Sequence, residues 1–135
     1  MALINWSDEY SVKVKEIDQQ HKKLIALINE LHESMRAGNS KNVIKKILDE
    51  LVEYTVYHFG FEEKLFAKYG YPETKVHMRY HTDLIEQLKE FLKKYESGST
   101  IISIELMNFL KDWLVNHIMK SDKNYSAFLN SKGIA

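Results

Sequence analysis

The sequence predicts an all-α protein, an up-down-up-down four-helix bundle with an extended N-terminal arm and a short C-terminal helix. Three observations lead there. Apolar residues recur in alternating steps of four and three over long stretches, the spacing of a bundle seam and not the period of two expected of a strand. Short breaks separate those stretches: Gly38-Asn39, Gly70 followed by Pro72, and Ser97-Gly98-Ser99. The 135 residues hold one proline and five glycines, with 44% apolar and 28% charged residues, a composition of a globular helical protein.

At 135 residues the chain suits one domain, 1–135, able to bury a single core without staples. Lys+Arg and Asp+Glu both number 19, which removes any electrostatic argument for nucleic acid or an anionic membrane as partner. The absence of cysteine excludes disulfides, iron–sulfur clusters, thiolate zinc and cysteine catalysis. MALINWSDEY lacks a basic n-region, and no apolar run reaches membrane-spanning length, so a soluble cytoplasmic protein is expected.

Residues 1–16 show no helical period and are expected to form an extended arm whose Trp6 packs on the bundle. Asp18 is the expected N-cap of a first helix running to Ala37, with Ile17, His21, Leu24, Ile28, Leu31 and Met35 facing inward. Ser40 would cap the second helix, 41–69, whose stripe is Ile44, Leu48, Leu51, Thr55, His58, Glu62 and Leu65. Gly60 within it costs about 1 kcal/mol relative to alanine, which suggests a close approach. Gly70 stops this helix in a left-handed conformation. Past Pro72 a third helix runs to about Tyr95, with His77, His81, Leu84, Leu88, Phe91 and Tyr95 inside. The fourth, about 100–118, turns Ile102, Leu106, Leu110, Trp113 and His117 inward, Phe109 flanking.

Five of the six histidines therefore occupy seam positions, and alternating helix directions bring all five to one end of the bundle together with Glu62. A lone histidine on an apolar face is ordinarily a packed, hydrogen-bonded residue. Six such polar groups in one place are different: without a cation each would leave water at a cost of roughly several kcal/mol if ionised. Metal binding relieves that cost. His32 lies about three turns from His21, beside the seam, and is expected to be a flanking surface residue. One more ligand is expected near His117. Asp122, five residues on, would sit about 140° away on an unbroken helix, so the helix should end or distort just after His117. Asp122 could equally cap a short helix over Lys123–Asn130. Five imidazoles and two carboxylates exceed what one tetrahedral zinc takes, so two metals follow; iron, manganese and copper all suit such ligands.

Ile17-Asp18-Gln19-Gln20-His21, His58-Phe59-x-x-Glu62, Tyr71-Pro72 before His77-x-x-x-His81, and Trp113-Leu114-x-x-His117-Ile118-x-x-x-Asp122-x-x-Tyr125, with Trp6 ahead of them, span nearly the whole chain. In these motifs and their order the chain resembles the hemerythrins, specifically the single-domain bacterial ones. The resemblance implies two Fe ions in a non-haem, oxo- or hydroxo-bridged diiron centre that binds O2 reversibly. It further implies that Glu62 and Asp122 bridge the irons, that His77, His81 and His117 hold one iron, and that His21 and His58 hold the other. Two octahedral ions offer about twelve positions and these groups fill about eleven, leaving one for O2 on the two-histidine iron. Leu24, Phe59, Trp113, Leu114 and Ile118 would line the oxygen pocket, shielding bound O2 from water and anions. O2 is the implied ligand; carriage, storage, delivery and sensing all use this chemistry. The alternative is a diiron enzyme such as a ferroxidase, peroxidase or oxidase. Those ferritin-like sites use Glu-x-x-His and more carboxylates, whereas this chain is histidine-rich.

Overall fold

Helices α1 (Lys15–Arg36), α2 (Lys41–Tyr69), α3 (Thr74–Glu96) and α4 (Ile102–Asn116) form a closed ring of neighbours: α1 lies against α2 and α4, and α3 against the same two. A short α5 (Lys123–Ser131) follows. The computed structural model describes residues 4–38, 41–96, 102–117 and 123–135, with the side chains of 41, 102–106 and 123–124 also outside the description. Ser40, the 97–99 connection, Ile118 and Asp122 thus lie outside the described residues, as do the side chains of Ile102 and Leu106. None of the described helices is long and apolar enough to cross a membrane.

The arm is extended apart from a single 3-10 turn at Asp8–Tyr10. Its start is pinned to α1 by Asn29, whose side chain accepts from Ile4 N at 3.0 Å and donates to Ile4 O at 2.8 Å. Trp6 does pack on the bundle, half-buried against the main core, 6.0 Å from Tyr10 and beneath the Lys22 ammonium. Asp18 does not cap α1. The helix begins three residues earlier, after Val14, which offers no side-chain cap. The physical reason lies in the arm: Val12 and Val14 are buried to 0% and 2% exposure, and Lys13 between them turns the chain at φ 58, so the helix starts at Lys15. Asp18 instead faces back from the first turn and accepts hydrogen bonds from Ser11 Oγ (2.6 Å) and Val12 N (2.8 Å), tying arm to helix.

The α2 seam follows the expected stripe from Ile44 to Glu62, then departs from it. Phe66, not Leu65, is the fully buried residue. An α-helix drifts about 20° per heptad against a strict 4,3 pattern, and three heptads of drift rotate the next inward position onto Phe66. Gly60 is half-buried with no heavy atom near the place a Cβ would take, so no close approach explains it. At the end of α2, Gly70 adopts φ 71 and Tyr71 N donates to Phe66 O at 3.0 Å, a Schellman closure that reverses the chain into α3.

Two apolar clusters result. The larger one fills the bundle from Ile4, Leu24 and Ile28 through Leu48, Leu51 and Phe59 to Leu110, Trp113 and Leu114. A smaller one, Val12, Val14, Ile17, Phe66, Tyr71, Tyr125 and Leu129, is built by the arm, the α2–α3 turn and α5. The histidine-bearing ends of the helices lie between them.

Candidate metal centre

Each bundle helix delivers its chemical residues to the same place: α1 His21, α2 His58 and Glu62, α3 His77 and His81, and the end of α4 His117. That meeting requires the helices to alternate in direction, as the sequence predicts. Burial is nearly complete, with His21, His58, Glu62 and His117 at 0%, His81 at 1% and His77 at 5% exposure. The side chains form two groups, His21–His58–Glu62–His117 and Glu62–His77–His81–His117, in each of which the potential ligand atoms lie within 4.8 Å of one another. Glu62 and His117 belong to both. Glu62 Oε1 stands 3.1 Å from His58 Nε2, 3.3 Å from His81 Nε2 and 3.6 Å from His117 Nε2, the position of a shared carboxylate.

Burial by itself would push the Glu62 carboxyl up, but His58, with hydrogen bonding from His117, His58 and His81, holds it well below the usual carboxylate range. His81 is driven down from its ordinary value by burial, against the pull of Glu62 and with the help of His117 and His77. The two directions favour an anionic Glu62 carboxylate and a neutral His81, the protonation states in which metal ligands work. Glu62 Oε2 is buried with no hydrogen-bond partner among the described residues. An acceptor-only oxygen of this kind is costly unless a cation meets it, and the donor set of imidazole nitrogens around it fits iron.

Aromatic rings brace the imidazoles. Phe59 lies flat on His81 at 3.8 Å and 1°, and Trp113 and Tyr80 stack on His117 at 6.1 and 5.8 Å. Of the expected pocket residues, Leu24, Phe59, Trp113 and Leu114 are buried within the larger cluster; Ile118 lies outside the described residues. The α-helical span of α4 ends at Asn116, and the residues just after His117, where the sequence calls for a break or distortion, lie outside the described residues. His32 is half-buried and belongs to neither ligand group. A cleft of about 700 Å³ lined by Tyr71, Val76, Arg79, Tyr80 and Phe128 reaches His77 from outside.

Residue-level reading missed Gln20, Phe66 and Tyr80 as parts of the site. Gln20 was visible in principle: it falls three residues after Ile17 and four before Leu24, on the inward face, and is 3% exposed. Its Oε1 lies 2.7 Å from His58 Nδ1.

Residues 12–129 match the hemerythrin HHE cation binding domain. The bacteriohemerythrin of Stenotrophomonas maltophilia is 36% identical over 126 residues, 93% of this chain and 81% of that protein. The bacteriohemerythrin of Methylococcus capsulatus is 36% identical over 132 residues, 97% of this chain and the whole of its own length. A crystal structure of wild-type hemerythrin superposes with a TM-score of 0.86 at 36% identity, covering 93% of this chain and 97% of the other. With fold, buried ligand groups and relatives in agreement over nearly its whole length, the chain belongs to the hemerythrin family.

Proposed function

We propose that the chain, a single domain over 1–135, binds O2 reversibly at a non-haem diiron centre held by His21, His58, Glu62, His77, His81, His117 and Asp122. The observation that carries this is the pair of buried ligand groups sharing Glu62 and His117. In this assignment His21 and His58 would hold one ion, His77, His81 and His117 the other, and Glu62 and Asp122 would be shared by both. Asp122 enters the set from the sequence motif Trp113-Leu114-x-x-His117-Ile118-x-x-x-Asp122.

An iron pair supplies the reversible redox chemistry by which O2 is held. The residues supply the rest. Glu62 offers an anionic oxygen to both halves, and His81, pushed down by burial, leaves its nitrogens available as ligands. Phe59 and Trp113 fix ring planes by stacking, so the ligand nitrogens are held in place before metal arrives. Leu24, Phe59, Trp113 and Leu114, together with Ile118 by assignment, would keep water from a bound O2. Five imidazoles against two carboxylates donate less charge than a ferritin-like set, which favours binding over turnover.

Iron analysis with optical spectra through repeated oxygenation and deoxygenation tests this. About two irons per chain and a fully reversible spectral change are expected, with iron substantially reduced in His77→Ala and His81→Ala. Steady O2 consumption without return of the deoxygenated spectrum would instead identify an enzyme.

A further inference from the structure

We propose that Gln20 is the positioning residue for His58: its side-chain oxygen holds the His58 proton on Nδ1 and so aims the lone pair of Nε2 into the metal site. The inference rests on the diiron reading above. Gln20 and His58 come from different helices, α1 and α2, and meet at 2.7 Å with 3% and 0% exposure. A neutral imidazole carries one donor and one acceptor nitrogen. His58 Nε2 is the nitrogen that faces the site, 3.1 Å from Glu62 Oε1. If Nε2 is to be a ligand, Nδ1 must carry the proton, and the group at 2.7 Å must accept it. An amide oxygen does; the amide turned over would set donor against donor.

A second observation separates this from a simple cross-link between helices. Gln20 Nε2 is buried and finds no hydrogen-bond partner among the described residues. With its oxygen on His58, the amide spends its one buried contact on that ring and leaves its own donor unmet. The other half of the site is built differently. His81 Nδ1 faces Glu63 Oε2, a carboxylate, at 3.9 Å, beyond hydrogen-bond length and with Glu63 26% exposed. A neutral acceptor in direct contact fixes a tautomer without pulling the ring toward imidazolate, as a carboxylate in direct contact would; Glu63, at 3.9 Å from His81, does neither. Gln20 thus keeps the two-histidine half a neutral-ligand site.

The experiment uses the full chain with Gln20→Leu and the isosteric Gln20→Glu, titrated anaerobically from the apo form with Co(II) as optical probe. Nitrogen NMR of labelled histidines in the apo protein reports tautomers. For Gln20→Leu one of the two metals should weaken by about 10–100-fold, the other by much less, and His58 should become a mixture of tautomers. Gln20→Glu should retain both metals and the Nδ1–H tautomer while shifting the Co(II) bands of one site. Wild-type affinities for both metals in Gln20→Leu overturn the proposal. So does equal weakening of both with an unchanged His58 tautomer, the signature of packing alone. Should Gln20→Leu fail to fold, Gln20→Glu decides, since unshifted bands there also overturn it. A wild-type chain that takes up no metal pair refutes the diiron reading instead.

Discussion

Toward one end of the bundle the seams carry Ile28, Leu31, Leu48, Leu88 and Leu110, each 0–1% exposed; toward the other they carry His21, His58, Glu62, His77, His81 and His117, 0–5% exposed. The spacing along each helix is the same at both ends, and so is the depth of burial. What differs is the source of stability. The leucine end gains from leaving water, at roughly 1.5–3 kcal/mol for each fully buried side chain. The histidine end gains nothing comparable from burial, because polar groups lose hydration there and Glu62 must remain charged. A bundle can bury such an end when a ligand restores what water supplied, and the function then rests on the part of the fold least able to hold itself together.

Metal removal should expose this difference most strongly. Chelating the metals to give the apo form is expected to cost on the order of 3–5 kcal/mol, a fall in Tm of roughly 10–20 °C, concentrated in amide exchange at the histidine ends of α1–α4. Equal thermal midpoints for apo and metal-loaded protein would break the comparison. Leu48→Ala, at the apolar end, should cost about 2–5 kcal/mol in both forms alike and leave two metals bound. A loss of metal there would mean that the two ends are not separable.

Leu114 stands at the border between the regions, 1% exposed, within the larger cluster and one turn from His117. As core filling, Leu114→Ala would cost stability alone. As shielding, it should also speed conversion of the oxygenated to the oxidised form by roughly tenfold, about 1.4 kcal/mol of barrier, with iron content intact. An unchanged autoxidation rate in a folded, fully metallated variant would sink the shielding role.

The pH dependence of the apo form sharpens the comparison further. His81 titrates lower in the folded state than in the unfolded chain, so below about pH 6.5 the unfolded state binds the extra proton first and folding weakens as pH falls. Glu62, also depressed, adds loss at still lower pH, as the unfolded carboxyl protonates before the folded one. Chemical denaturation from pH 8 to 5 should show apo stability declining, and a flat profile there would contradict the His81 direction. The smallest effect is expected at His32, half-buried and outside both ligand groups, where His32→Ala should retain about two metals per chain.

The bundle and most of its site were legible because both follow from one-dimensional periodicity. His21, His58, Glu62, His77, His81 and His117 fall on the same 4,3 seams as the leucines, and short turns force alternate directions, so their meeting follows from spacing. Gly70 announced the end of α2 because a left-handed residue is cheap only for glycine. The errors came where contacts between distant segments overrode local rules. Asp18 has the chemistry of a cap and sits before an apolar run, yet burial of Val12 and Val14 moved the helix start to Lys15 and turned its carboxylate to the arm.

By itself, then, the sequence determined the fold class, the helix spans apart from the start of α1, and the six described side chains that converge, since these depend on period, turn chemistry and residue type. Only the tertiary structure decided that Glu62 and His117 are shared between two ligand groups and that Gln20 touches His58. Those outcomes turn on distances of an ångström or two and a few tens of degrees of helix rotation between elements. Periodicity places a residue on a face, but packing against the neighbouring helix settles which atom on that face meets which.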